Sequence, residues 1–160
     1  MAISVRSARP SDADEVARLT AQLGYDVDGS ALAERFARIL AQADQRLLIA
    51  ELDGRPVGWL HAVIWEFVET DPFVVIAGLV VDRAHRKRSI GRTLMRLAEE
   101  WAVERGCSFV RLWSSSGRTE AHRFYERLGY KKIKTQYSFA RSIDSNGHGD
   151  LKQFVPRIED

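Results

Sequence analysis

Hydrophobic and polar positions change their spacing several times along this chain, and each spacing predicts a different element. Residues 3–8 alternate between apolar and polar side chains, which is typical of a strand, and Pro10 ends it. Gly24 and the turn formers after it separate two predicted amphipathic helices. Their apolar residues recur at helical spacing: Val16, Leu19 and Leu23 in the first helix, and Leu32, Phe36, Ile39 and Leu40 in the second.

The middle of the chain predicts a hairpin followed by a buried strand. The stretch RLLIAELDGRPVGWLHAVIWEFV contains two strand-like runs around Asp53-Gly54, a pair that favours a tight hairpin turn. The next apolar run, Phe73 to Val81, is hydrophobic on both of its faces. A strand of that composition is typical of the centre of a sheet that is covered on both sides. We therefore expect helices above and below the sheet.

The second half of the chain alternates between helical and strand-like segments. A helix is predicted from Ser89 to Glu104, a strand over 107–113, a helix over 121–128 and a final strand over 130–143. The resulting order, β α α β β β α β α β, indicates an α/β protein (α+β, mixed sheet) in which βαβ crossovers follow a hairpin. We predict a central mixed sheet of six or seven strands in one domain, residues 1–143, with a C-terminal tail at 144–160.

Composition narrows the class of protein. The chain has 160 residues, 45% of them hydrophobic, and 24 basic residues nearly balance 22 acidic ones, so we expect no nucleic-acid partner. The single cysteine, Cys107, cannot form an internal disulfide, and the first residues lack the apolar core of a signal peptide. The longest apolar run is less than half of the roughly 20 residues that span a bilayer. These features predict a cytoplasmic protein with no membrane segment and no metal site.

A cluster of basic residues precedes the helix predicted from Ser89. The sequence VVDRAHRKRSIGRTLM, residues 80–95, places Arg83 and residues 85–88 beside the first backbone N–H groups of that helix, which have no partner within it. A phosphate there would accept those hydrogen bonds and contact guanidinium groups. Neither the Walker pattern nor the Gly-x-Gly-x-x-Gly fingerprint of dinucleotide-binding folds is present. A solvated loop explains the same residues equally well.

Two motifs together resemble a known family. The segment LVVDRAHRKRSIGRTLM is similar to the acyl-CoA-binding segment of the GNAT superfamily of N-acetyltransferases. About 30 residues later, AHRFYERLGY is similar to the second signature of that family, a helix that bears a tyrosine, and its surroundings resemble the branch of aminoglycoside acetyltransferase-like proteins. Ser89 stands where the family usually has its first glycine. Its hydroxyl can cap the helix, but its side chain narrows the space for a pyrophosphate.

The resemblance implies a binding site for acetyl-CoA as the cosubstrate. Backbone N–H groups of residues 86–91 would hold the pyrophosphate, the basic side chains would neutralise phosphates, and the end of the central strand would pair with the pantetheine arm. The residues implied in cofactor binding are Leu79, Val80, Val81, Arg86, Lys87, Arg88, Ser89, Ile90, Gly91 and Arg92.

The catalytic residues that the resemblance implies are less complete. Tyr125 matches the proton-donating tyrosine of the family and would protonate the departing thiolate, although packing in a core is the commoner role of a helical tyrosine. The central strand has no Glu or Asp to act as general base. Nearby candidates are Glu66, Glu69 and Asp71, with His61 further back on the preceding strand, and we retain Glu66 and Glu69. Candidate residues for binding a cationic acceptor are Asp26, Asp28 and Trp65.

Two functions from different classes fit these residues. The first is an N-acetyltransferase that moves acetyl from acetyl-CoA to a primary amine on a small molecule by direct attack, with Tyr125 as general acid. The alternative is a non-catalytic acyl-CoA sensor or interaction module, favoured by the bare central strand and by Ser89. A nucleic-acid binder ranks lower because the basic cluster is short. A homodimer closed partly by residues 144–160 is a further prediction.

Overall fold

The described part of the chain divides into two compact units. The structure is a computed structural model and describes residues 2–143 and 151–154. Residues 2–112 form the first unit, and residues 113–143 and 151–154 belong to the second. The single domain over 1–143 stays a prediction, and most of the tail at 144–160 lies outside the described residues.

The first unit is built on a five-stranded mixed sheet. Its strands lie in the sheet in chain order: β1 (Ile3–Ser7), β2 (Gln45–Leu52), β3 (Arg55–Phe67), β4 (Thr70–Val81) and β5 (Val110–Arg111). The first four pair antiparallel. Strand β5 runs parallel to β4 and pairs only at Val74 and Val75. The mixed α/β fold class is confirmed, with five strands in the described residues where six or seven are predicted.

Four α-helices accompany the strands in the described residues. They are α1 (Ala13–Ala21), α2 (Gly29–Leu40), α3 (Ile90–Glu104) and, in the second unit, α4 (Thr119–Arg127). Short 3-10 turns cover Pro10–Asp12, Arg83–His85 and Leu151–Phe154. Each predicted helix is found, and α3 connects the parallel strands β4 and β5 as predicted. None of these helices has both the length and the apolar composition that crossing a bilayer requires.

Helices cover both faces of the sheet, as the apolar composition of β4 predicts. Two neighbouring residues of β3 show the two sides. A side chain at Gly58 would contact Ile90 and Leu94 of α3, whereas Trp59 packs against the core formed by α1, α2 and β2. Phe36 in that core is 2% exposed and Leu94 is 0% exposed, so both faces are closed to solvent.

The hairpin between β2 and β3 turns at the predicted pair. Asp53 and Gly54 both have positive φ angles, 51° and 77°, as a two-residue type I′ turn requires. Glycine adopts that conformation without strain. The turn pairs Leu52 with Arg55, and a bulge at Val57 then shifts the register by one residue, so that Trp59 lies opposite Ile49 and His61 opposite Leu47.

The strand predicted over residues 130–143 is not found. These residues form no helix or strand, and their large apolar side chains are 70% to 92% exposed: Ile133, Tyr137, Phe139 and Ile143. The prediction is wrong because this alternation does not correspond to a buried face. Without burial, little offsets the entropy lost in ordering a strand. The strand predicted over 107–113 is also shorter than expected, because only Val110–Arg111 pairs.

Candidate functional site

Strand β4 loses one of its two neighbouring strands part-way along its length. Its register with β3 shifts at Ala77, which is the extra residue of a β-bulge, since Gly78 pairs with His61 but Ile76 pairs with Ala62. Before the bulge, β4 pairs with β3 and with β5; after it, β4 pairs with β3 alone among the described strands. The outer edge of the second half therefore carries backbone groups that an extended, amide-bearing ligand can satisfy.

The bulged half of β4 leads towards the N-terminal end of α3. The Thr93 N–H donates to the Ser89 carbonyl, at 2.9 Å. Residues 90–92 precede Thr93, so their N–H groups have no carbonyl acceptor within α3. The helix dipole adds partial positive charge at this end, and the cations of residues 86–88 beside it are exposed. This arrangement can bind a diphosphate.

Ser89 has a backbone conformation that its sequence context does not reveal. Its φ and ψ angles, 61° and 10°, lie in the left-handed region, and its hydroxyl makes no capping hydrogen bond to α3. The expected capping role of that hydroxyl is therefore absent. A left-handed conformation costs a non-glycine residue about 1–2 kcal/mol, whereas glycine adopts it freely. Lys87 is also left-handed, with φ of 64°. The loop before α3 therefore contains two strained residues.

Tyr125 lies on α4 in the second unit, between two other aromatic rings. The rings of Phe124 and Tyr130 meet it edge-on, with centroid distances of 5.2 Å and 6.1 Å. Burial raises the pKa of the Tyr125 phenol, and the charge of Arg118 opposes this increase only in part. A phenol with a raised pKa stays protonated at neutral pH and can donate its proton. This environment is compatible with both packing and proton donation.

The candidate bases Glu66 and Glu69 lie at the end of the β3–β4 hairpin. Both are exposed, and Thr70, where β4 begins, is seven residues before the bulge at Ala77. At roughly 3.3 Å per residue, this is about 23 Å of strand. Trp65 lies near them on β3 and is 39% exposed. The structure does not bring these three candidates to the open edge of β4.

The acidic candidates between α1 and α2 are both exposed. Asp28 caps α2, because one of its carboxylate oxygens accepts the Ser30 N–H at 3.1 Å and the other accepts the Ser30 hydroxyl at 2.8 Å. Both hydrogen bonds lower the pKa of Asp28, and the one from the Ser30 hydroxyl has the larger effect. Asp26 lies two residues earlier in the same connection. Asp28 therefore has a structural role, and contact with an acceptor stays a prediction for both residues.

His61 lies opposite the bulged half of β4, where it pairs with Gly78. Its Nε2 is 2.8 Å from the Gln45 side-chain oxygen, and burial lowers its pKa, so the imidazole is neutral at pH 7. The indole of Trp59 fills the space above Gly78, since a Cβ at that glycine would lie 2.5 Å from the ring. His61 is thus a hydrogen-bonded residue of the sheet beside a tightly packed contact.

The loop before α3 also has contacts that no local sequence pattern reveals. Gln22, the residue after α1, hydrogen-bonds to Asp82 and Arg83 at the end of β4. Sixty residues separate Gln22 from Asp82 in the sequence. Neither Gln22 nor Asp82 belongs to the predicted site residues, because only the fold brings them together.

Comparison with known proteins assigns the family. The model of the acetyltransferase (GNAT) family matches residues 14–130, more than two thirds of the chain. The chain belongs to the GNAT family. Aminoglycoside N(6')-acetyltransferase type 1 of Acinetobacter haemolyticus is 26% identical over 146 residues, 89% of this chain and 100% of that protein. Aminoalkylphosphonate N-acetyltransferase of Salmonella typhimurium is 30% identical over 138 residues, 85% of this chain and 90% of that protein.

A solved structure shares the fold of this chain. The structure of AAC(6')-Iy in complex with the bisubstrate analog CoA-S-monomethyl-acetylneamine has a TM-score of 0.80 and 20% identity, over 89% of this chain and 99% of that chain. The predicted resemblance to the GNAT superfamily is confirmed. This GNAT protein is therefore an acetyl-CoA-dependent N-acetyltransferase, and acetyl-CoA is its cosubstrate.

Proposed function

We propose that this GNAT enzyme transfers acetyl from acetyl-CoA to a primary amine on a small molecule. The observation that carries the proposal is that the open edge of β4 continues into the loop and N-terminal end of α3. A ligand with amide groups and then a diphosphate matches these two features in order. The relatives named for aminoglycosides and aminoalkylphosphonates support a small amine-bearing acceptor.

In this proposal the predicted cofactor-binding residues have two tasks. The backbone of residues 79–81 bonds to the pantetheine arm, and the N–H groups of residues 89–92 bind the diphosphate. The side chains of residues 86–88 neutralise phosphate charge. The Arg86 Nε donates to the Val81 carbonyl at 3.4 Å, so this side chain lies beside the last residue of β4.

The transfer needs a nucleophile, an oxyanion site and a proton donor. The neutral amine of the acceptor attacks the thioester carbonyl, and a backbone N–H of β4, at Leu79 or Val81, stabilises the oxyanion. The C–S bond then breaks, and Tyr125 gives its proton to the departing thiolate. The proton of the amine leaves to water, because residues 73–81 include no carboxylate. Tyr125 matches the proton donor of the family, and burial keeps its phenol protonated at neutral pH by raising its pKa.

A product assay with a matched variant tests this proposal. Labelled acetyl-CoA is incubated with a panel of small amines, using the wild-type enzyme and Tyr125→Phe, which removes only the hydroxyl and keeps the ring. We expect an acetylated amine from the wild type and a kcat about 10² to 10⁴ times lower in the variant, at nearly unchanged acetyl-CoA affinity. Equal turnover would remove Tyr125 from the mechanism. No acetyl-CoA binding at millimolar concentration would refute the whole proposal.

The family assignment argues against the alternative predicted from the sequence, a non-catalytic acyl-CoA sensor, because the relatives are named N-acetyltransferases. The same assay tests it, because a sensor binds acetyl-CoA and yields no product with any amine in the panel.

The remaining residues predicted from the sequence take part in no chemical step of this mechanism. Asp26, Asp28 and Trp65 are proposed as acceptor contacts, and the turnover panel tests them through their alanine variants. Glu66 and Glu69 have no role in the proposal because of their distance from the bulge along β4. A cytoplasmic location and a homodimer also stay predictions, and size-exclusion chromatography with light scattering tests the second.

A further inference from the structure

A buried carboxylate holds the start of the loop that precedes α3. Asp82 directly follows β4 and is 9% exposed. Its Oδ1 accepts the Ala84 N–H at 3.0 Å and the Gln22 amide at 3.4 Å, and its Oδ2 accepts from Arg18 at 3.2 Å. Burial opposes ionisation of Asp82, but these hydrogen bonds outweigh it and lower its pKa. The carboxylate is therefore charged at neutral pH.

Gln22 completes the connection from the side of α1. Its side-chain oxygen accepts the Arg83 N–H at 2.9 Å, and its backbone carbonyl accepts from the Arg83 guanidinium at 3.0 Å. Its side-chain nitrogen donates to Asp82. Three hydrogen bonds thus join Gln22, directly after α1, to Asp82 and Arg83, directly after β4. Arg18, one turn earlier in α1, adds a fourth.

We propose that Asp82 and Gln22 are positioning residues for acetyl-CoA. They fasten residues 82–84 to α1, and so present the basic loop and the first amides of α3 in the orientation that binds a diphosphate. The proposal rests on the proposed function, because it assigns the loop to the cosubstrate. Neither residue contacts the ligand directly in this account.

The loop needs such an anchor for two physical reasons. Lys87 and Ser89 are both left-handed, and strained conformations of this kind persist only when surrounding contacts enforce them. The cations of Arg83 and residues 86–88 also repel one another, and Asp82 supplies a negative charge at the start of the run. A loop that is ordered before binding loses less entropy when the ligand arrives, which increases affinity.

A second buried aspartate in the same unit provides a matched control. Asp12 is 6% exposed, accepts two hydrogen bonds of 2.8 Å from Arg6 and accepts the Arg9 N–H at 2.7 Å. Like Asp82, it joins an arginine to a backbone N–H beside a 3-10 turn. It ties β1 to the start of α1, at the opposite end of the helix from Gln22. Asp12→Asn therefore removes a buried ion pair without changing the contacts of the loop.

Calorimetric titration with acetyl-CoA tests the positioning role. We expect Asp82→Ala and Gln22→Ala to raise the Kd for acetyl-CoA about tenfold, because the loop must then be ordered when the ligand binds, with kcat at saturating acetyl-CoA within about threefold of wild type. Asp82→Asn keeps an acceptor for the Ala84 N–H, so its Kd should rise less. Asp12→Asn should lower the Tm while leaving the Kd within about twofold of wild type. An unchanged Kd in both alanine variants would overturn the proposal.

Limited trypsin digestion gives a readout that does not depend on acetyl-CoA. Trypsin cleaves after Arg and Lys, and the loop offers Arg83, Arg86, Lys87 and Arg88. Without ligand, we expect the two alanine variants to be cut in this loop about tenfold faster than wild type, and Asp12→Asn to be cut there at the wild-type rate. Unchanged cleavage overturns the anchoring role. Faster cleavage with an unchanged Kd overturns the link between the anchor and acetyl-CoA. If the wild type binds no acetyl-CoA, the proposed function is overturned, and the cleavage rates alone then test whether Asp82 and Gln22 anchor the loop.

Discussion

Residues 73–76 and 78–81 of β4, on the two sides of the bulge, are both apolar but have different surroundings. Residues 73–76 are at most 6% exposed and pair with β3, and two of them also pair with β5. The bulge residue Ala77 is exposed, and after it the strand pairs with β3 alone among the described strands. One inserted residue thus separates a strand that closes the core from a strand whose edge is open to a ligand. The comparison shows that an apolar run can contain both a core and a binding surface.

The largest expected effect comes from placing one charge in each half. Val74→Asp buries an unpaired carboxylate at a position that is 0% exposed, and we expect it to cost more than about 4 kcal/mol and abolish the folded state. Ala77→Asp places the same group at an exposed position, and we expect a cost below about 1 kcal/mol. Urea unfolding followed by circular dichroism measures both. Similar losses in the two variants would contradict the division of β4.

The next prediction tests whether the second half of β4 is open only along its unpaired edge and closed on the face that Trp59 covers. Gly78→Ala places a Cβ 2.5 Å from the Trp59 ring, so the ring must shift, and overpacking of this kind costs about 1–3 kcal/mol. Trp59→Leu should make the glycine substitution nearly neutral, because the obstructing ring is gone. A double-mutant cycle on urea midpoints measures this coupling. Additive losses would mean that the Trp59 face is as open as the edge.

A smaller gain in stability is expected where the open half leads into α3. Ser89→Gly relieves a left-handed residue whose hydroxyl caps nothing, and we expect stabilisation of up to about 1 kcal/mol, reduced by the larger entropy of glycine in the unfolded chain. Acetyl-CoA affinity should rise or stay unchanged, since a side chain near the diphosphate is removed. Ser30→Gly, at an exposed position in the first turn of α2, is the control and should not stabilise. A destabilised Ser89→Gly would argue against strain at this position.

The smallest effect concerns pH and the residue opposite Gly78. Burial lowers the pKa of His61, so protonation favours the unfolded chain. The corresponding stability is present above the unfolded pKa, about 6.5, and is lost as pH falls through and below that value. His61→Gln keeps a polar group for Gln45 and should remove this part of the dependence. Unfolding free energies at pH 8 and pH 5.5 measure it, and an identical pH dependence in the variant would contradict the assignment.

Much of the fold follows from local patterns in the sequence. The Asp53-Gly54 turn, the helices and the central position of β4 are all predicted, because hydrophobic spacing and turn residues act within a few positions of one another. The last strand is predicted and absent, since an alternating pattern cannot show whether a partner strand exists. The division of β4 is likewise hidden, because a bulge depends on the register with β3 and not on the composition of β4.

The sequence predicts part of the candidate site, as it predicts part of the fold. The basic loop and the helix that follows it are visible as a motif, and Tyr125 is visible through its own motif on α4. The left-handed backbone of Ser89 is not visible, because a serine is more often an ordinary cap. The anchor formed by Asp82 and Gln22 is not visible either, because it joins positions 60 residues apart.

Hydrogen–deuterium exchange with and without acetyl-CoA tests the central claim most directly. The account predicts that acetyl-CoA slows exchange of the amides in residues 78–81 and 89–92, where the open edge and the helix end have N–H groups to offer, and leaves residues 73–76 unchanged. Slowed exchange confined to another part of the chain, or none at saturating acetyl-CoA, would contradict the placement of the cosubstrate on the second half of β4.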